Sequence, residues 1–241
     1  MPLLDHFRQP LATDRPWDGF HSTWAGTMAT LLNQRLLPAD YFAIPQTKLG
    51  GGIEVDVGTF HKNGGSGGSG PAVAAAVWAP PAPPLRATVD YLDQDVFEVQ
   101  IHQQLGGPQL RAAVELVSPA NKDRPGHRHA FAVKCAAYLQ RGVSVLVIDV
   151  VTERLANLHM EILEVLELTA ELPWSSPTHL YSVAYRTALS PGHQQLEAWP
   201  EPLRLGAELP TVPLWLEADL PLPLRLEESY AATCAGLKIP V

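Results

Sequence analysis

The sequence predicts an α/β fold, a mixed central sheet flanked by helices, on three observations. Two mostly apolar runs, 110–118 and 143–151, bracket an amphipathic stretch over 126–141, and a strand, a helix and a strand in so short a span make a right-handed crossover. A helical apolar periodicity opens the chain over 17–37, and period-two alternation follows over 53–60. Hydrophobic residues make up 46% and charged residues 17%, which is enough apolar material for the core such a sheet needs.

The elements follow in order. In 17–37, Phe20, Trp24, Thr27, Met28, Leu31 and Leu32 recur at three- and four-residue spacing and share one helix face; Pro38 stops the pattern. A short strand over 41–44 precedes the turn at Gly50, Gly51 and Gly52, and a strand over 53–60 follows it. Residues 61–70 are rich in glycine and serine and read as a flexible linker. Pro80, Pro81, Pro83 and Pro84 extend this irregular insert to about 86. Strands are expected over 95–104 and 110–118, the second covered on both faces because it is almost wholly apolar. Gly142 ends the helix over 126–141 as a left-handed cap. A helix over 154–169, strands near 179–187, 194–199 and 212–217, and a short helix over 226–236 complete the pattern. The proline- and leucine-rich extension over 200–241 reads as extended packing arms on a single domain covering 1–241.

No run of apolar residues is long enough for a membrane span, and the first residues do not read as a signal peptide. Cys135 and Cys234 fit no metal or redox spacing, so buried free thiols in a reducing cytoplasm are expected. The net charge of −8 weighs against tight non-specific DNA binding, which needs a basic stripe to displace counterions. It does not weigh against a carboxylate-rich metal site.

Three residues break the pattern. Glu115 sits inside Val114 and Leu116, with Ala113 and Val117 on its own face. A carboxylate there takes up a proton, pairs or binds a cation, or else lies at a strand end that reaches water. Asp56 shares a face with Glu54 and Gly58; alone it reads as a wet strand face, and it gains meaning only by converging with Glu115. Lys134 falls between Ala130, Phe131, Ala137 and Tyr138, in the middle of the apolar stripe of its helix. It either snorkels outward or reaches inward to carboxylates on the sheet. One arrangement explains all three: two carboxylates on neighbouring strands hold a divalent cation, with the lysine beside them.

These residues resemble the core of the PD-(D/E)XK, or restriction-endonuclease-like, nuclease superfamily. The stretch over 113–151 is similar to the endonuclease-like proteins of the Uma type. Glu115, Leu116, Val117, Ser118 and Pro119, then Asp123, then Lys134 and Tyr138, then Gly142, Val143 and Asp149 carry that similarity. Glu54, Val55, Asp56 and Val57 match the family's Asp strand. The resemblance implies the order αβββαβ with additional C-terminal strands. It implies Asp56 and Glu115 as ligands of Mg²⁺ or Mn²⁺, with the Leu116 carbonyl completing the site. The family's core lysine, two residues after the acid, is Val117 here; Lys134 takes its place, with Lys122 as the other candidate. Some relatives carry an acid on the first helix, where this chain offers only Asp18.

His127 and Arg128 begin the second helix, next to His129, and are candidates for a phosphate contact or a solvated helix end. Lys122 and Tyr138 join them as substrate-side residues, Tyr138 by packing and hydrogen bonding at the rim. There is no strained serine elbow and no phosphate-loop ending after the glycines at 64–70. The first expectation is a cytoplasmic metal-dependent nuclease acting on DNA, with Asp56, Glu115 and Lys134 as its catalytic residues. The second is a binding or structural protein that keeps the core without turnover, with room for a homodimer through the tail. A weaker third is a hydrolase of a smaller phosphate compound.

Overall fold

The computed structural model describes residues 1–45, 57–61, 79, 81–89, 109–190 and 192–240. The strand expected over 95–104 lies outside the described residues, as does Asp56.

The chain opens with one helical turn, α1 (Leu11–Asp14), and then α2 (Trp17–Leu31), which loosens into a π-helical turn over Leu32–Leu36. Pro16 precedes the first helical residue, and Leu37, next to Pro38, is extended, as the residue before a proline must be. The apolar face of α2 is turned slightly from the one expected. Phe20, Trp24 and Met28 are buried as predicted, but Ala25 and Ala29 are buried where Thr27 and Leu31 are half-exposed.

Strands β1 (Tyr41–Pro45), β2 (Val57–His61), β3 (Leu85–Val89), β4 (Gln109–Leu116), β5 (Ser144–Asp149), β6 (Tyr181–Ser190) and β7 (His193–Pro202) form one seven-stranded sheet in the order β1-β2-β4-β5-β6-β7-β3. Among the described strands only β4 and β5 run parallel. Between them lie α3 (Pro119–Asp123) and α4 (Pro125–Gln140), the crossover that a parallel pair requires. The segment α5 (Leu158–Val165) precedes β6, and a two-stranded ribbon of β8 (Thr211–Glu217) and β9 (Leu220–Arg225) leads into α6 (Leu226–Gly236).

The sheet is covered on both faces because its strands alternate between two apolar clusters. Ala112, Val114, Leu116, Leu146 and Ile148 face the first, with α2, β8, β9 and α6. Ala113, Val117, Val145, Val147 and Val183 face the second, with α4 and α5. The first cluster is pinned by polar bonds as well. Trp24 Nε1 donates to Ser229 Oγ on α6 at 2.9 Å, and the Tyr230 hydroxyl receives the Leu4 amide at 2.9 Å.

Several sequence expectations are corrected at their edges. The irregular stretch over 61–86 is shorter at both ends. His61 belongs to β2 and Leu85 and Arg86 to β3, the outermost of the described strands, which pairs with β7 and whose Ala87 is buried. The four prolines before it hid this strand. Within the tail over 200–241 the strand expected near 212–217 and the helix over 226–236 are found as β8 and α6. Strand β9, which the reading as extended arms passed over, pairs with β8, and the three elements fill the first cluster with Val212, Leu214, Leu222, Leu224, Tyr230 and Cys234. Pro213 lies opposite Pro223 in that ribbon; a two-stranded ribbon leaves half its positions without a ladder donor, so it tolerates proline. The helix read over 154–169 is confined to α5, because Asn157 caps it by accepting from the amides of His159 and Met160 at 3.1 and 3.4 Å. At the outer strand β1, the Asn33 side chain bonds both the amide and the carbonyl of Ala43, each at 2.8 Å. Among the described residues no helix is long and apolar enough to cross a membrane.

Candidate functional site

The site is built on the parallel pair. Because β4 alternates, Glu115 lies on the same face as Ala113 and Val117, under α4. Lys134, in the third turn of α4, reaches inward and its Nζ donates to Glu115 Oε2 at 2.6 Å. Their side chains are 10% and 2% exposed. The Lys134 ammonium also stands 5.4 Å from the centre of the Phe131 ring, one turn back. Of the two readings open to Lys134, inward pairing is the one found.

A second lysine–carboxylate pair lies on the same sheet face. Glu115 is in register with Val147 of β5, and Asp149 continues the row of Val145 and Val147, two residues further along. Lys122, from α3, donates to Asp149 Oδ2 at 2.7 Å, and neither side chain is exposed at all. The other oxygen, Oδ1, accepts the amide of Val151 at 3.0 Å. Tyr181 of β6 lies opposite Asp149 and adds its hydroxyl; that same hydroxyl accepts the amides of Leu158 and His159 at 2.9 and 3.3 Å. Burial pushes the Asp149 carboxyl up to about 6, against the pull of Lys122, Val151 and Tyr181.

The remaining predicted residues are dispersed. His127 is exposed and its Nδ1 donates to the Ala120 carbonyl at 3.2 Å. Arg128 is held by Glu161 of α5, Nε to Oε1 at 2.6 Å. Tyr138 is 8% exposed and packs within the second cluster. The Leu116 carbonyl accepts from His21 Nε2 of α2 at 2.9 Å. No family model, curated protein or solved structure matches the chain. Its chemistry is therefore read from its own geometry. Among the described residues no group of three or more His, Cys, Asp or Glu side chains could hold a metal; Asp56, expected as the partner of Glu115, is outside that set.

Sequence reading missed three features here. Asp149 interrupts an apolar run just as Glu115 does, a signal noted only through the family resemblance. His21 falls on the spacing Trp17, His21, Trp24, which marks it as facing inward. The burial of Lys122 carries no local signal, because it depends on α3 folding back onto β5.

Proposed function

We propose that the chain is a cytoplasmic metal-dependent nuclease acting on DNA, with a restriction-endonuclease-like core. The observation that carries this reading is the buried Glu115–Lys134 pair on the parallel β4–β5 pair of the sheet. The element order α2, β1, β2, β4, α4, β5 supports the core assignment. In this reading the carboxylates of Asp56 and Glu115 hold Mg²⁺ or Mn²⁺, hard cations that oxygen donors suit. Val57, the residue after Asp56, is paired with Val114, the residue before Glu115, and consecutive Cα atoms are about 3.8 Å apart. The cation supplies charge stabilisation and an activated water. Lys134 keeps an ammonium beside Glu115, where it screens phosphate charge and orients the attacking water. Lys122, His127, Arg128 and Tyr138 are the substrate-side residues of the same proposal, Lys122 only once it leaves Asp149.

The test is cleavage of circular single- and double-stranded DNA with Mn²⁺ or Mg²⁺. Wild type cuts, and Asp56→Asn, Glu115→Gln and Lys134→Ala each lose about a hundredfold or more while keeping a cooperative thermal transition. Cutting that survives all three changes, or none by wild type with either metal, defeats the proposal.

A second reading is a binding or structural protein with the same core, open to homodimerisation. It is favoured by the pair itself: Lys134 already neutralises Glu115 at 2.6 Å, and such a pair needs no cation. Under that reading Mn²⁺ leaves the thermal midpoint unchanged, whereas a site-bound ion raises it by mass action.

A further inference from the structure

Between the last buried residue of the Glu115 strand and the body of α4 runs a segment with almost nothing in the core. From Ser118 to Ala130 the only buried residue is Lys122. Ala112 to Val117 before it are all buried, and Phe131, Ala132, Cys135, Ala136 and Leu139 after it are buried too. The last sheet tie is the Val117 amide on the Ile148 carbonyl at 2.9 Å.

Apart from the backbone bonds of α4 that link 127–130 to 131–134 and must break at the hinge, most bonds of the segment are internal and would travel with it. Ser118 and Asn121 form a reciprocal capping box, Asn121 N donates to Ser118 O, and His127 bonds the Ala120 carbonyl. Three side-chain ties lead out of it, all ionic. Arg128–Glu161 and Arg154–Asp123 are solvent-accessible, at 23%/24% and 47%/34% exposure, and pairs of that kind hold weakly. The third, Lys122–Asp149, is wholly buried. An element with no apolar anchor belongs to the least stable part of a fold, and here one buried ion pair stands where a hydrophobic anchor usually does.

We propose that residues 118–130 form a flap that opens as a unit, hinged after Val117 and before Phe131, with the Lys122–Asp149 pair as its pin. Opening withdraws Lys122 from the sheet and uncovers Asp149. The segment then presents Lys122, Arg124, Arg128, His127 and His129 against one carboxylate, Asp123, a locally cationic arm on a chain of net charge −8. The flap rests on packing alone and stands whether or not the chain cuts DNA.

Hydrogen exchange read by mass spectrometry near neutral pH tests it. In the wild type, amides over 118–130 are expected to exchange faster than the helical amides over 135–139 and the strand amides over 112–117. In Lys122→Met and in Asp149→Asn, the flap amides approach free-peptide rates, about a hundredfold or more faster, and the amides of 131–134 loosen with them because their helical acceptors lie in the flap, while 135–139 stay protected. The double variant Lys122→Met/Asp149→Leu restores an apolar pin and with it the protection. Flap protection equal to that of its flanks in the wild type overturns the proposal. So does flap protection that survives the single changes, or that is lost only together with the whole chain. If Asp149→Asn does not fold, Lys122→Met and the wild-type pattern decide.

Discussion

Lys134 descends an apolar helix face to reach Glu115, whereas Lys122 arrives at Asp149 from a short helix with nothing else to bury. Removing one member of a buried pair leaves an uncompensated charge, so Lys122→Met is expected to cost about 3–5 kcal/mol near neutral pH in denaturant unfolding. The cost shrinks below about 6, where Asp149 is protonated and neutral. The sign for Asp149 itself follows from linkage. Its folded value of about 6 lies above the ordinary 3.8, so the folded state binds this proton more tightly, and the stability it lends falls as pH rises through that window. His6 and His159 run the other way: burial lowers both from 6.5 to about 4, and their contribution is lost as pH drops below the ordinary value. The Asp149 step is therefore read as the difference between wild type and Asp149→Asn in unfolding free energy across pH, and a flat difference refutes it. Residue by residue, a charge flanked by apolar neighbours was the legible signal. It marked Glu115 and Lys134 from sequence alone, while Lys122, with polar neighbours, gave no sign of its burial.

Elements were legible where periodicity was long and chain punctuation agreed with it. The β4–α4–β5 unit and α6 fall within a residue or two of expectation, and Gly142, with φ of 73°, closes α4 as predicted. What failed was punctuation read against context. Prolines argued against β3, which they only precede, and against β9, where a two-stranded ribbon spares them. The five-residue α3 is too short for any period to register. The overlong reading of α5 passed over its own cap. Asn157→Ala is accordingly expected to cost about 1 kcal/mol in chemical denaturation, with Asn157→Asp recovering most of it, and an unchanged midpoint for Asn157→Ala would show the two amides satisfied otherwise.

At the scale of the whole molecule, the first cluster draws on both ends of the described chain: Leu3, α2, the β8–β9 ribbon and α6. Leu226, Tyr230, Cys234 and Ile239 are all 5% exposed or less. A chain ending at Arg225 is expected to lose its cooperative thermal transition and near-ultraviolet dichroism, since it would strip the helix from α2 and leave Trp24 Nε1 without Ser229. Retention of a sharp transition would mean that the sheet and the opposite helices suffice. That dependence was hidden in the sequence, where the tail's leucines and prolines carry no sign of which face they cover.

Strand β3 carries a consequence for how the chain matures. Its sequence neighbours β2 and β4 sit on the other side of the sheet, and its partner is β7, with Leu85 opposite Ala198. Among the described strands it has no edge to join during synthesis until the ribosome has passed Pro202. Pairings that distant form slowly because loop closure precedes any gain. The Trp199 indole, which donates to the Pro81 carbonyl at 3.1 Å, is thus placed to report by its fluorescence the moment the last strand comes home.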